Sequence, residues 1–463
     1  MVQDKKHVIS TALLFRVFHV AIIVLLSSCY KGDTLDLNQD PGTPFNPNEE
    51  IFVEKFMPTD GRKGTRILIY GRNFGNDPSK VKVTIGGQPS KVINVKGESL
   101  LCVCPSKAYD GDVKVAVVGE DNTEVKSGVC ETKFEYRFNY VVTTFLGETY
   151  ENNTKWDVLA GPFDDCGAFQ DMYWMKFDPN SNFDDLYWIG RKQAFRHVDF
   201  KNEYVGIMTT NISQCSCVDF TPDGDMIVSD DQGSDTNTGL YLFTRSSGFT
   251  ERISLCNGRG VKTAVAHPTN GKIYFTPYHH AAIETYNLKT GEILNEASLP
   301  HKATQYYIVW HPDGKYAYVI FNGKHCIYRV DLNEETDMLE SPYLICGQET
   351  RSGWIDGMGS GAMLAGPEQG IFVKNPEYEG LEEEYDFYFC DKDNHCIRIL
   401  TPEGRVTTYA GRGGGLTSGY VDGELRTQAL FNKPASIAYD EKRNCFYVGD
   451  VNNHRIRKIA PEE

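Results

Sequence analysis

An all-β chain is predicted by three features of the 463-residue sequence. Aromatic residues make up 12%, with 26 Tyr and 25 Phe against 5 Trp; 43 glycines can serve tight turns; and strand-like runs closed by turn clusters recur along the chain. The length suits two or three domains, or one small domain with one large repeat array. A net charge of −16 leaves no basic surface to neutralise phosphates, so no nucleic-acid partner is expected. The 13 cysteines exceed reducing-compartment usage but fall far short of a disulfide-dense scaffold.

At the start of the chain Lys5, Lys6 and Arg16 precede an apolar run from Val17 to Leu26, broken only by His19 and followed by Ser27-Ser28-Cys29. A basic start, a short apolar core and small residues before a cut predict a secretory signal over residues 1–28. A membrane-spanning helix would need about 20 apolar residues, roughly twice this run. The Leu-Ser-Ser-Cys ending resembles a bacterial lipobox, which implies lipidation of Cys29 and contact with the membrane only through that anchor. Residues 29–50, with Asp33, Asp36, Asp40, Glu49, Glu50 and three prolines, read as a flexible tether. An acidic stretch just after a lipidated Cys resembles the surface-export signal of Bacteroidetes lipoproteins.

Residues 51–138 alternate short strands with turns at the spacing of a small sandwich. Arg66–Tyr70 runs into Gly71-Arg72-Asn73-Phe74-Gly75 and Val81–Ile85 into Gly86-Gly87, with Leu100–Cys104 and Val113–Val117 following. The order Ile69-Tyr70-Gly71-Arg72-Asn73-Phe74-Gly75, Val83, Cys102-Val103-Cys104-Pro105, Gly111 and Val115 resembles the IPT/TIG family of immunoglobulin-like domains. That resemblance implies a spacer, and no cluster here has catalytic character.

From 139 to 463 one pattern recurs six times. Its turn appears as Phe177-Asp178-Pro179, Phe220-Thr221-Pro222, Ala266-His267-Pro268, Trp310-His311-Pro312, Lys374-Asn375-Pro376 and a worn Tyr439-Asp440-Glu441, each followed by an aromatic-rich strand and then a third strand. Several short strands per unit, at a period of about 40–60 residues, predict propeller blades that bury their faces only by stacking around an axis. Six copies predict six blades. The last copy lacks its own outer strand, and Val141–Gly147 is similar to the outer-strand segment Val406–Gly411, so the N-terminal strand is expected to complete the last blade and close the ring. Copies five and six, through Tyr409-Ala410-Gly411, Val421-Asp422-Gly423, Phe431-Asn432-Lys433-Pro434 and Tyr447 to Ile459, resemble NHL repeats. The expected fold is therefore an IPT/TIG sandwich followed by a six-bladed NHL-type β-propeller.

In such propellers the loops entering each inner strand, and those between second and third strands, gather on one face around the channel. That face is the expected ligand side. Its loops carry Trp156, Arg191, Tyr278, His279, His280, Asn322, Arg351, Trp354, Asp356, Asn394, Arg412, Tyr420, Asp422 and Asn453. Aromatic rings there offer flat faces to sugar C–H groups, with Asp, Asn, Arg and His beside them for hydroxyls. His325, His395 and His454 share one repeat position and His267 and His311 sit in the recurring turn, so these five are expected to be structural hydrogen-bonders; His279-His280 has no counterpart in other copies. No catalytic residue, metal centre or cofactor is assigned. Asp230-Asp231 with Asp235, and Asp391 with Asp393-Asn394, could hold Ca²⁺, although neither has the spacing of a known loop.

The combination resembles the surface glycan-binding lipoproteins of Bacteroidetes polysaccharide-utilisation systems. It implies non-catalytic capture of a polysaccharide or oligosaccharide at the outer membrane for a partner transporter complex. Two alternatives stay open: a propeller enzyme (a polysaccharide lyase, a hydrolase or a metal-dependent lyase) and a protein-interaction platform in the envelope. Beyond Cys29, the cysteines read mainly as core filler, with a bridge from Cys102 or Cys104 to Cys130 open to an exported protein.

Overall fold

The computed structural model describes residues 42–462 apart from 107, 109, 148–159, 170, 191–194, 209, 233–237, 258–259 and 302–304. The expected signal and Cys29 lie outside the described residues. Among those described, no helix is long and apolar enough to cross a membrane. The chain forms two compact units, Met1–Phe138 and Asn139–Glu463.

The first unit is a curled antiparallel sandwich whose strands follow the hydrogen-bonded order Phe52–Met57, Arg66–Arg72, Ser99–Val103, Gln88–Val95, Val81–Ile85, Gly111–Val118 and Glu124–Tyr136, with the short Asp60–Gly61 pairing parallel to the last. Period-two alternation drives it: Ile67 and Ile69 point inward while Arg66 and Arg72 stay exposed, and Val81, Val83 and Ile85 alternate with Lys82 and Thr84. Those residues meet Leu100, Cys102, Val113, Val115 and Phe134 in one core. Gly71 is required by close approach, since a Cβ there would stand 2.0 Å from the Phe52 carbonyl oxygen. Asn73, at φ 64°, ties the preceding segment down: its Nδ2 donates to the Asn46 (2.8 Å) and Glu49 (2.9 Å) carbonyls and its Oδ1 accepts from Asn46 N (2.7 Å). Phe45 packs on the core beside it. The described end of the expected tether is thus bound to the sandwich, because it carries an aromatic anchor and meets a left-handed Asn.

The second unit is the six-bladed propeller. Inner strands are Met172–Phe177, Cys215–Phe220, Val261–Ala266, Tyr306–Trp310, Pro367–Lys374 and Pro434–Asp440 in blades 1 to 6. Tyr140–Leu146 supplies the outer strand of blade 6, pairing with Arg455–Pro461 so that Thr144 faces Arg457 and Val142 faces Ile459. The ring closes as expected. Blades 1, 5 and 6 gain a short edge strand from the connection that precedes their own inner strand: Gly161–Pro162, Gly357–Met358 and Gly423–Glu424.

The core lies between neighbouring blades, where the abundant aromatics meet. Tyr187 packs on Phe220 (5.7 Å between centroids), Tyr274 on Trp310 (4.8 Å), Tyr318 on Phe372 (5.0 Å), Tyr388 on Phe446 (4.7 Å) and Tyr447 on Phe177 (6.2 Å). Such pairs add about 0.5–1.5 kcal/mol each beyond their area. Blades 2 and 3 use mainly aliphatic contacts, through Ile227, Leu240, Val261, Ala264 and Ile273.

All twelve described cysteines are buried free thiols, so Cys102 and Cys104 form no bridge to Cys130. Burial pushes Cys102, Cys104 and Cys215 up to about 11, which keeps them protonated and unreactive.

Candidate functional site

On the loop face, blades 5 and 6 carry the same constellation twice. Arg398 and Arg457, fully buried, stand third in the third strands of these blades. Nη1 of Arg398 donates to Asp391 Oδ2 (2.7 Å) and the Met363 carbonyl (3.3 Å), while Nη2 donates to Asp356 Oδ1 (2.9 Å) and the Ile355 carbonyl (3.0 Å). Arg457 repeats this with Asp450, Leu430, Asp422 and Val421. Asp356 accepts from Thr408 N (3.2 Å) and Oγ1 (2.8 Å); Asp422 accepts from Thr144 N (3.0 Å) and Oγ1 (3.3 Å). The indole N–H of Trp354 donates to Thr408 Oγ1 (3.0 Å), and the Tyr420 hydroxyl bonds Thr144 Oγ1 (2.6 Å). Asn394 and Asn453 each bridge the local Asp (2.8 and 2.7 Å) to a loop carbonyl, Gly353 or Gly419 (both 2.8 Å).

Six sequence-predicted residues, Trp354, Asp356, Asn394, Tyr420, Asp422 and Asn453, are thereby brought into two matched networks that clamp the entering loop to its blade. Only Trp354 and Tyr420 also present substantial ring surface, at 40% and 41% exposure. Burial raises Asp391 and Asp450 to about 6 against the pull of their arginines. Both oxygens of Asp391 are engaged, Oδ1 by Ala365 N (2.7 Å) and Oδ2 by Asn394 and Arg398, which is the geometry of an ion-pair centre rather than a Ca²⁺ loop. Among the described residues, no group of three or more His, Cys, Asp or Glu could hold a metal ion.

The repeat-position histidines are structural links. His325, His395 and His454 all adopt left-handed backbone and reach the entry to the next blade: Nδ1 accepts from Gly366 N (3.0 Å), accepts from Lys433 N (3.1 Å), and meets the Phe169 carbonyl (3.2 Å), respectively. Burial lowers the pKa of all three. His267 links its turn to blade 4 through Nε2 and the Gly314 carbonyl (2.8 Å).

Elsewhere on this face, His280 Nδ1 pairs with Glu284 (2.8 Å) and His279 stands edge-on to Tyr278 (5.1 Å). Arg351 is exposed, and Arg412 donates to the Thr427 carbonyl (2.9 Å). Trp156 and Arg191 lie outside the described residues.

Two groupings at the axis were missed from sequence. Trp174 of blade 1 stacks across the channel on Tyr307 of blade 4 (6.1 Å, 30° between planes), and Gln369 of blade 5 bonds both Met175 N (2.9 Å) and Ile437 N (3.1 Å), which plugs the middle. On the loop side of the plug a polar chamber of about 100 Å³ is lined by Tyr173, Ser216, Lys262, Gln305, Tyr307 and Lys392. Buried Glu368 gathers Lys392 (2.6 Å), the Tyr307 hydroxyl (3.0 Å) and Asn322 (3.2 Å), so among the described residues Asn322 is the one predicted residue that reaches this cluster. Lys262 pairs with Asp231. On the turn side lies a larger chamber of about 440 Å³ to which all six blades contribute. Lys262-Thr263 and Glu368-Gln369, polar pairs inside otherwise apolar inner strands, were the available signal for the loop-side cluster and the Gln369 plug.

Comparison with known proteins agrees with this architecture. The IPT/TIG domain model matches residues 52–136 and the NHL repeat model residues 431–459. NHL repeat-containing protein 2 of Bos taurus is 31% identical over 111 residues, 24% of this chain, and the chain spans only 14% of that relative. Among solved structures, an auxiliary nutrient binding protein from Bacteroides ovatus is 70% identical, with 91% of this chain and 100% of that one covered and a TM-score of 0.75. An auxiliary nutrient binding protein from Bacteroides thetaiotaomicron is 45% identical over 91% and 100% (TM-score 0.71), and a putative phosphatase from the same species is 32% identical over 91% and 99% (TM-score 0.71). With its sandwich, closed six-bladed ring and a match at 70% identity over 91% of its length, the chain belongs to the family of these Bacteroides proteins, an IPT/TIG domain followed by an NHL-repeat propeller.

Proposed function

We propose that the chain is a non-catalytic, lipid-anchored surface protein that captures a polysaccharide or oligosaccharide nutrient on its propeller for an outer-membrane transporter. The observation that carries this is the 70% identical relation, over 91% of the chain, to a protein described as nutrient binding. The loop face supports it with two part-exposed rings, Trp354 and Tyr420, on adjacent blades, flanked by exposed Arg351 and Arg412. A rigid ring held by its own hydrogen bond loses little entropy when a sugar packs on it. Cys29 would hold the protein in the envelope and the sandwich would act as a spacer.

The full chain should be retarded in native gels containing its polysaccharide, and Trp354→Ala should weaken calorimetric affinity about tenfold. Absence of retardation or heat across a broad glycan panel would end the proposal. An enzymatic role has one observation in its favour, the convergence of Lys392, Glu368 and Tyr307 at the axis. Release of new reducing ends, lost in Glu368→Gln, would favour it over binding.

A further inference from the structure

The small loop-side chamber is lined by two lysines, Lys262 on the inner strand of blade 3 and Lys392 between the second and third strands of blade 5, and by no carboxylate among the described residues. Their counter-charges stand off this wall: Lys262 pairs with Asp231 and Lys392 with Glu368 (2.6 Å), carboxylates whose side chains are only 8% and 2% exposed. Both pairs meet at the Tyr307 hydroxyl on the chamber floor, whose pKa is pushed far up by burial and then by the charges of Glu368, Tyr173 and Asp231. Burial opposes the charge on Lys392, and Glu368 overrides it, so the pKa is raised and the ammonium persists. An ammonium carries three N–H donors, and among the described residues each lysine uses one, on its own carboxylate. Charged donors left over beside a polar cavity call for acceptor oxygens, and two cations on one wall exclude a metal ion.

We propose that this chamber receives one compact oxyanion, a carboxylate or sulfate, carried by an acidic saccharide. Two oxygens of such a group can each accept from one ammonium, and charge-assisted bonds of this kind are about twice as strong as neutral ones. At about 100 Å³ the chamber is far below the roughly 300 Å³ at which ligand pockets begin, so it has room for a substituent rather than a whole sugar ring. The ring then stays outside, on the loop face. One three-residue turn, Lys392–Asn394, serves both places: Lys392 lines the chamber, while Asn394 Nδ2 donates to the Gly353 carbonyl (2.8 Å), next in the chain to Trp354. The saccharide rests on the proposed nutrient-binding function; the oxyanion follows from the wall.

Calorimetry of the full chain tests it with galacturonate, glucuronate and mannuronate oligosaccharides, their neutral methyl esters, sulfated heparin disaccharides and inorganic sulfate. At least one acidic saccharide should bind about tenfold or more tightly than its neutral counterpart. Lys262→Met and Lys392→Met should each abolish that preference. A melting curve checks that the variants are folded; should either fail, Lys262→Met with Asp231→Leu and Lys392→Met with Glu368→Leu remove each ammonium without orphaning its carboxylate and decide instead. A preference for acidic sugars that survives the lysine variants would place the charged group elsewhere, as at exposed Arg351 or Arg412, and overturn the chamber. Neutral glycans bound as tightly as acidic ones, and lost in Trp354→Ala, would overturn the chamber and leave the proposed function intact. Lysine-dependent binding of inorganic sulfate with no charged saccharide bound would overturn the saccharide. Silence from every glycan, acidic or neutral, and from sulfate would remove both proposals.

Discussion

Blades 5 and 6 and blade 1 carry the same buried arginine in different company. In blades 5 and 6, Arg398 and Arg457 each bridge two aspartates. In blade 1, Arg196 occupies the matching place, donating Nη1 to the Cys166 carbonyl (3.2 Å) as Arg398 does to Met363. The second strand of blade 1, however, ends on Gly190 where blades 5 and 6 end on Asp391 and Asp450. Arg196 Nε and Nη2 have no partner among the described residues, the guanidinium lies over Phe169 (4.5 Å), and burial lowers its pKa to about 10. The arginine thus holds one repeat position in all three blades, and in blade 1 the strand beside it ends without a carboxylate.

The largest expected effect breaks the comparison open. Arg398→Met leaves Asp391 buried beside an apolar chain and should cost about 3–5 kcal/mol, read as the denaturant midpoint. Arg196→Met removes a buried charge that has no carboxylate partner among the described residues and should fall within about 1 kcal/mol of wild type, or stabilise. Equal losses in the two variants would mean that Arg196 has an acidic partner. The double replacement Asp391→Leu with Arg398→Met should recover much of the single loss, as expected when the damage is an orphaned charge.

A smaller effect is expected from the outer carboxylates. Asp356→Ala and Asp422→Ala each remove one arginine contact and the Thr408 or Thr144 bonds, but their side chains are 44% and 43% exposed, so water replaces part of what is lost. About 1–2 kcal/mol is expected for each, equal in the two blades.

The sandwich and the ring were legible in the sequence because both follow from local pattern. Alternation at Ile67, Ile69, Val81 and Val83 marked inward positions, and the likeness of Val141–Gly147 to Val406–Gly411 marked the closing strand. The loop-face residues were legible as positions and not as partners. Arg398 sits in a strand far along the chain from Asp356, and only the sheet register brings Nη2 to that carboxylate. The turn-side chamber was hidden for the same reason. Trp174 and Trp310 read as ordinary aromatics of strands in separate blades, and nothing local says that they line one cavity.

Acidity sharpens the comparison next. The folded pKa of Asp391 and Asp450 is raised from 3.8 to about 6, so the folded chain holds these protons more tightly than the unfolded one. Their contribution is fully present below about pH 4 and is lost as pH rises through about 6. The melting-temperature gap between wild type and Asp391→Asn should therefore shrink from pH 4 to pH 7. Arg196 titrates far above this window, so Arg196→Met should shift the curve without changing its slope there.

The smallest expected effect separates holding a ring from using it. Trp354→Phe and Tyr420→Phe each delete one hydrogen bond to a threonine hydroxyl, at Thr408 or Thr144, and each should cost about 0.5–1.5 kcal/mol in denaturant. Gly413, at φ 76°, comes so close to the indole that a Cβ would stand 2.2 Å from it, so Gly413→Ala should tilt Trp354 and quench or shift its fluorescence. If the ring face is what meets the ligand, glycan affinity should survive the loss of the N–H in Trp354→Phe and fall in Gly413→Ala, where the indole is present but displaced. The reverse order would make Trp354 Nε1 itself the contact, and unchanged affinity in both would confine the residue to the clamp it shares with Tyr420.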